Sequence, residues 1–273
     1  MIKPWARAAV IAVCAVTLAN AQGTTSPYTP LIPMPLGDTL INLPTPRVLP
    51  QKVWEIRFTH RFSQPITDGD IQSFWGLDSS ADIGIALSYA PVRDLQFTIY
   101  RTDVQDNYEL AAKWVALQEA RAIPLSLTIR GGANWRTEEG LTDRVSPFVQ
   151  AIVSRQIGNR FELFAVPSFV ADAPPFDQAF NIPFGLAFAL KPGASLVFEI
   201  TPPNGDVPDD VGDDFGWAIG WKRGVGGHYF EILLANTRFT HVDQYVTATP
   251  LGGLDAGDVR LGFNIERRWG GRR

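Results

Sequence analysis

Polar and apolar residues alternate with a period of two along most of this chain. In residues 82–90, Ile83, Ile85, Leu87 and Tyr89 fall on one face and Gly84, Ala86, Ser88 and Ala90 on the other. After Pro91-Val92-Arg93-Asp94 the alternation resumes, with Leu95, Phe97 and Ile99 opposing Gln96, Thr98 and Tyr100. Successive side chains of a strand point to opposite faces, so the stretch predicts an antiparallel hairpin with one large apolar face and one small or polar face. The apolar face is the core of a soluble sandwich or the lipid-facing side of an outer-membrane barrel.

The same period recurs on both sides of this hairpin. Residues 53–62 set Trp54, Ile56, Phe58 and Phe62 against Glu55, Arg57, Thr59 and Arg61. Residues 107–117 and 125–135 repeat the division, with Glu109, Lys113 and Arg130 on the polar faces. In 184–190 and 215–222 the bulky residues oppose small ones, Gly185, Ala187, Ala189 and Gly216, Ala218, Gly220. Residues 146–156, 160–169, 195–201, 228–236 and 258–267 are strand-like as well. The total is about twelve strands, an even number, as single-chain bacterial outer-membrane barrels have.

The connections separate sandwich from barrel. Long ones (63–81, 137–145, 170–179, 202–214, 237–257) alternate along the chain with short ones (91–94, 118–121, 158–159, 191–194, 223–227). One connection, 103–106, belongs to the long set by order and is short. Short turns on one rim and long loops on the other is the layout of a membrane barrel. Charge follows the same division. Asp68, Asp70, Asp78, Glu138, Glu139 and the run Asp206, Asp209, Asp210, Asp213, Asp214 lie in long loops. Arg93, Arg121, Lys191 and Arg223 lie in short turns, and Arg267, Arg268, Arg272 and Arg273 end the chain. The aromatics Trp54, Phe62, Tyr89, Trp114, Trp135, Phe169, Phe184, Trp221 and Trp269 fall near strand ends, where interface girdles sit. The expected fold is therefore all-β: a single antiparallel up-and-down transmembrane β-barrel over residues 52–273.

Composition adds the ends of the chain. Lys3 and Arg7, a short apolar run from Ala8 to Leu18, and Ala19-Asn20-Ala21 read as a signal peptide over residues 1–21. Cys14, the one cysteine in the sequence, falls inside it, so the mature chain forms no disulfide and no thiolate metal site. Residues 22–51 carry seven prolines, too many for a helix or a central strand. They form either a loose periplasmic arm, the usual role of Pro-rich termini, or a plug in the barrel mouth. A pI near 5.4 and a net charge of −4 leave no basic footprint for nucleic acid.

Parity turns Glu55, Arg57, Arg61, Glu109, Lys113, Arg130, Glu162, Glu199, Glu231, Arg260 and Glu266 into the barrel. Such a mixed-charge lining is either a crosslinked filling or a narrow aqueous passage that selects solutes by charge. Gly84, Ala86 and Ser88 and the small residues of 184–190 and 215–222 free space for a passage on three strands. The five aspartates of 206–214 are a weak candidate for a hard cation such as Ca²⁺ and more simply a solvated loop. His228 at a short-turn rim and His241 in the last long loop lie too far apart for one metal ion. His60 sits among lipid-facing residues, and its nearness to Ser63 is the sole pointer to a hydrolase.

A set of motifs in 54–118 is also similar to a known family. These are Thr59-His60-Arg61-Phe62, Phe74-Trp75-Gly76-Leu77-Asp78, Asp94-Leu95, Tyr100-Arg101-Thr102, Tyr108-Glu109-Leu110, Lys113 and Leu117-Gln118. They resemble the bacterial β-barrel group known as domain of unknown function 5777, with Trp75 standing where Phe is expected. The resemblance implies an outer-membrane-like barrel and carries no activity, substrate or catalytic residue. The expectation is a monomer in the outer membrane of a Gram-negative-type bacterium, inserted by the barrel-assembly machinery, with both termini periplasmic. No cofactor is implied, and no enzyme. Its partners are outer-membrane lipid and small polar solutes, which it passes or binds. The alternative role is a structural or partner-docking scaffold.

Overall fold

The structure, a computed structural model, describes residues 37–120, 123–140, 145–173, 176–203, 215–247 and 257–271. The expected signal peptide with Cys14, the first part of the Pro-rich segment, Arg121, Arg272, Arg273 and the aspartates of 206–214 lie outside the described residues.

Fourteen strand segments form one antiparallel sheet that closes on itself. They are β1 (Val53–Phe62), β2 (Ala81–Val92), β3 (Leu95–Thr102), β4 (Asn107–Leu117), β5 (Ser126–Arg136), β6 (Val145–Ile157), β7 (Phe161–Ala165) and β8 (Ser168–Ala173). The remainder are β9 (Phe176–Asn181), β10 (Phe184–Lys191), β11 (Ala194–Thr201), β12 (Gly216–Val225), β13 (His228–Ala235) and β14 (Arg260–Gly270). β1 pairs with β14 from Val53↔Gly270 to Arg61↔Gly262, so the first and last strands seal the ring. Closure satisfies the backbone groups that lipid cannot, which is why sheets cross membranes only as barrels.

Two staves are each built from two segments, β7 with β8 and β9 with β10, so the ring has twelve staves. The breaks fall at Pro167 and Pro183, which bring no N–H to the ladder. Their carbonyls still take part: Ala151 N–H donates to Pro167 O and Val166 N–H to Pro183 O, both at 2.9 Å. This corrects the reading of 170–179 as a long loop. Val170, Ala171 and Ala173 on β8 pair with Ala179, Gln178 and Phe176 on β9, so the loop is a strand hairpin. Its alternation is blurred by the prolines and by Asp172, which sits at a left-handed φ of 51°. The connection expected at 118–121 extends over 118–125, with a bridge between Ala120 and Ile123.

The outer face is a belt of exposed apolar side chains, among them Phe58, Ile85, Leu110, Leu163 and Ile232. The inner face is polar and buried: Glu55, Arg61, Gln96, Gln150 and Lys222 are each no more than 1% exposed. This inverts the soluble pattern, in which apolar residues lie inside. Strands of ten or eleven residues such as β1, β4 and β14 match the length a tilted strand needs to cross a bilayer. The turns 93–94, 158–160, 192–193 and 226–227 share one rim with Val53 and Gly270, and the long loops share the other together with the short connections 103–106 and 174–175.

Two segments fill the interior. Residues 37–50 of the Pro-rich stretch run inside the barrel rather than loose, and Leu40, Ile41, Leu43 and Leu49 are buried to within 1%. From the opposite rim the loop after β13 folds inward and carries a single-turn helix, α1 (Val242–Tyr245), all of it buried.

Candidate functional site

The lumen is a polar cavity whose charges hold these two segments. In residues 38–45 the chain turns back on itself: Leu40 N–H donates to Leu43 O at 2.8 Å and Thr45 N–H to Asp38 O at 2.9 Å. The tip of this turn presents its amides to one carboxylate. Glu199 on β11 accepts from the N–H groups of Ile41, Asn42 and Leu43 at 2.7, 2.9 and 2.8 Å. Lys222 on β12 donates to the carbonyls of Thr39 and Leu40, both at 2.8 Å. Arg57 and Arg61 on β1 donate to Thr39 Oγ1 and Asn42 Oδ1, each at 2.9 Å. Thr128 on β5 donates to Pro46 O at 2.8 Å, and Gln96 on β3 accepts from Leu49 N–H at 2.9 Å.

The charges of the wall are unevenly spread, and the segment lies across them accordingly. Arg57, Arg61, Lys113 and Arg130 outnumber Glu55 and Glu109 on β1, β4 and β5, whereas Glu162, Glu199, Glu231 and Glu266 outnumber Lys222 and Arg268 on β7 and β11 to β14. Asp38 turns to the basic side, 3.9 Å from Arg57 and 4.0 Å from Lys113, while Arg47 bonds Glu162 on the acidic side at 2.6 Å. Opposite charges at its two ends thus fix the segment's direction in the lumen. Two glycines make room for it. A Cβ on Gly37 would lie 2.2 Å from Glu266 Oε2, and one on Gly185 would lie 2.3 Å from Leu40 Cδ1.

The second segment is clasped in the same way. Asp243 on α1 accepts from Arg136 at 2.6 Å and from Asn107 at 3.1 Å. Tyr245 OH accepts from Gln150 at 2.8 Å, and Thr240 bonds Tyr100 OH at 2.5 Å. His241, expected at a rim, is fully buried in the lumen, where Nδ1 accepts from Asn134 Nδ2 at 2.9 Å and Glu109 lies 3.7 Å away. A small cavity remains between the two insertions, bounded by Asn42, Leu43 and Glu199 and by Thr237, Gln244 and Tyr245.

All eleven charges that parity turned inward are buried or half-buried. Ten of them bond one another, a neighbouring wall residue or an inserted segment, among them Glu109 with Arg130, Glu55 with Arg268 and Lys222 with Glu231 and Glu266. Arg260 differs: it lies at the long-loop rim and pairs with Asp258. The space expected beside the small residues is taken by Leu40 and Ile41 near Gly185 and Gly220 and by Tyr100 near Gly84. Lys222, Gln96, Asn264 and Arg136 were missed, although strand parity places Lys222 with Ala218 and Gly220 and Asn264 with Glu266. Asp243 carries no such signal, because nothing periodic marks a loop that folds inward.

Three carboxylates, Asp38, Glu55 and Glu266, bring oxygens within 4.8 Å of one another. Arg57, Arg268 and Lys222 stand 3.9, 2.5 and 3.6 Å from them, so three cations balance three anions without an ion. On the outer surface, His60 stacks on Phe263 at 4.6 Å and Ser63 Oγ accepts from Ser80, and among the described residues no hydrogen bond joins His60 to Ser63.

A closed twelve-stave barrel with an apolar belt outside and a charged lumen inside is a membrane barrel of the outer-membrane type. The chain belongs to the family of the membrane-bound beta barrel domain (DUF5777), whose model matches residues 37–269. That span includes residues 37–50, so the internal segment lies within the family's domain. No curated protein sequence matches. Among solved structures the chain is similar to a KdgM porin, with a TM-score of 0.51 and 6% identity over 78% of this chain and 98% of that one. It is also similar to outer membrane phospholipase A from Escherichia coli, with a TM-score of 0.46 and 12% identity over 90% and 94% of the two chains. At 6% identity the likeness to the KdgM porin is one of fold alone.

Proposed function

We propose that this protein is a solute passage of the outer membrane held shut by its own chain, with residues 37–50 as the plug and the loop around α1 as a second obstruction. The observation that carries the reading is the chemistry of the clasp. Residues 38–49 pack Leu40, Ile41 and Leu43 into an apolar cluster with Val197 and Leu233. Among the described residues, however, every hydrogen bond between them and the wall is made to a wall side chain, mostly a carboxylate, ammonium or guanidinium group, and none to the strand ladder. Such charge-assisted bonds contribute about 1.5–3 kcal/mol each, and breaking them leaves the strand pairing untouched, so the segment can leave the lumen without unfolding the barrel. Once vacated, the lumen is a narrow aqueous path lined by charges of both signs, suited to small polar solutes.

The filling of the lumen from both ends favours a second reading, a closed scaffold whose loops and N-terminal segment dock partners. Liposome swelling separates the two. Vesicles carrying the full chain should swell slowly in small sugars, and vesicles carrying a chain without residues 22–50 should swell several-fold faster. Equal, background-level swelling in both supports the scaffold.

A further inference from the structure

Many cations of this barrel have a carboxylate partner, Arg93 at the short-turn rim among them, whereas the buried Arg61 is held by Asn42 and Asn264. Inside, Arg57, Lys113, Arg130, Arg136, Lys222 and Arg268 each have a carboxylate within 4.0 Å. At the long-loop rim, Arg101, Arg238 and Arg260 are paired as well, with Asp106, Asp82 and Asp258. On the lipid-facing surface at the short-turn rim, Arg223 and Arg267 have no carboxylate within 4.0 Å among the described residues.

The register gathers these two cations into one patch. Arg267 on β14 lies opposite His228 on β13, and Arg223 on β12 lies opposite Phe230 of the same strand β13. Trp269, two residues beyond Arg267 on the same face, is 43% exposed. Arg267 Nη1 meets the His228 ring at 2.9 Å and Gly226 O at 3.3 Å, and Arg223 Nη1 meets Pro192 O at 3.3 Å. The remaining guanidinium N–H groups bond no protein atom among the described residues. A guanidinium fork without a carboxylate, beside an interfacial tryptophan at the edge of the lipid belt, matches a phosphate that arrives with the bilayer.

We propose that the outer face around Arg223, His228 and Arg267 binds the phosphate headgroup of an anionic phospholipid. Continuity with the lipid belt and the excess positive charge of the patch select this occupant. Each cation near an anionic headgroup strengthens such attraction by about fivefold. The proposal concerns the outside of the barrel and holds whether or not the lumen conducts.

The test is native mass spectrometry of the full chain released from detergent with equal phosphatidylglycerol and phosphatidylcholine. The wild type should retain phosphatidylglycerol at least fivefold over phosphatidylcholine. The Arg223→Gln/Arg267→Gln variant should bring the two near parity, and Glu138→Gln/Glu139→Gln at the other rim should leave the preference unchanged. Equal retention by the wild type, or an undiminished preference in the double glutamine variant, overturns the proposal. Heat-modifiable migration reports folding. If the double variant does not fold, Arg267→Gln alone is read instead, and it should lower the preference at least twofold; no change there overturns the proposal equally.

Discussion

Glu199 shows how much a single inward residue does in this lumen. It belongs to a strand whose outward neighbours Phe198 and Ile200 face lipid, so its inward direction follows from parity. Its partners do not, because three backbone amides of a segment about 157 residues earlier in the chain have no mark in the sequence. Charge-assisted hydrogen bonds contribute about 1.5–3 kcal/mol against about 1 kcal/mol for neutral ones. Glu199→Gln should therefore raise the fraction of time residues 38–45 are detached by roughly ten- to a hundredfold. A cysteine at Asn42 should then react with a small thiol reagent at least about ten times faster in Glu199→Gln than alone, and equal rates would contradict the role given to Glu199. Asp70 illustrates the other extreme. The amides of Ser73 and Gln72 hold its carboxyl below the usual value, but it is exposed and its substitution should leave stability unchanged.

Among the elements, the strands with clean alternation were legible to within a residue or two: β1 and β4 fall where the period puts them. The failures have physical causes. Pro167 and Pro183 interrupt the ladder and hide that β8 and β9 continue two staves. The loop after β13 has no apolar period because it is designed by contact with the inner wall, through Asp243, Tyr245 and the buried Val242 and Val246. Removing one partner of a buried ion pair costs about 3–5 kcal/mol. Asp243→Ala, which removes the Asp243 carboxylate from Arg136 and Asn107, should release this loop while the staves stay paired. Limited proteolysis should then cut within 236–259 much faster than in the wild type, with heat-modifiable migration retained. Loss of that migration would mean that α1 is needed for the barrel itself.

At the scale of the whole molecule, the alternation of long loops and short turns led to a closed barrel, and the ring of twelve staves agrees with it. What periodicity cannot reveal is the content of a lumen, since a filled and an open barrel share one pattern on their strands. From loop length we expect the short-turn rim, where β1 begins and β14 ends, to face the periplasm. A cysteine replacing Asp70 should label with an impermeant maleimide on whole cells and one replacing Arg93 should not; the reverse would invert the orientation.

The central claim, a passage closed by the chain's own segments, is tested most directly by single-channel recording in planar bilayers. The full chain should be silent or open rarely. A chain lacking residues 22–50, and more so one that also carries Asp243→Ala, should give defined conductance steps whose ion preference shifts with Arg57→Glu or Arg61→Glu. Silence in all of these, from folded barrels, would contradict the account and leave the barrel a closed scaffold.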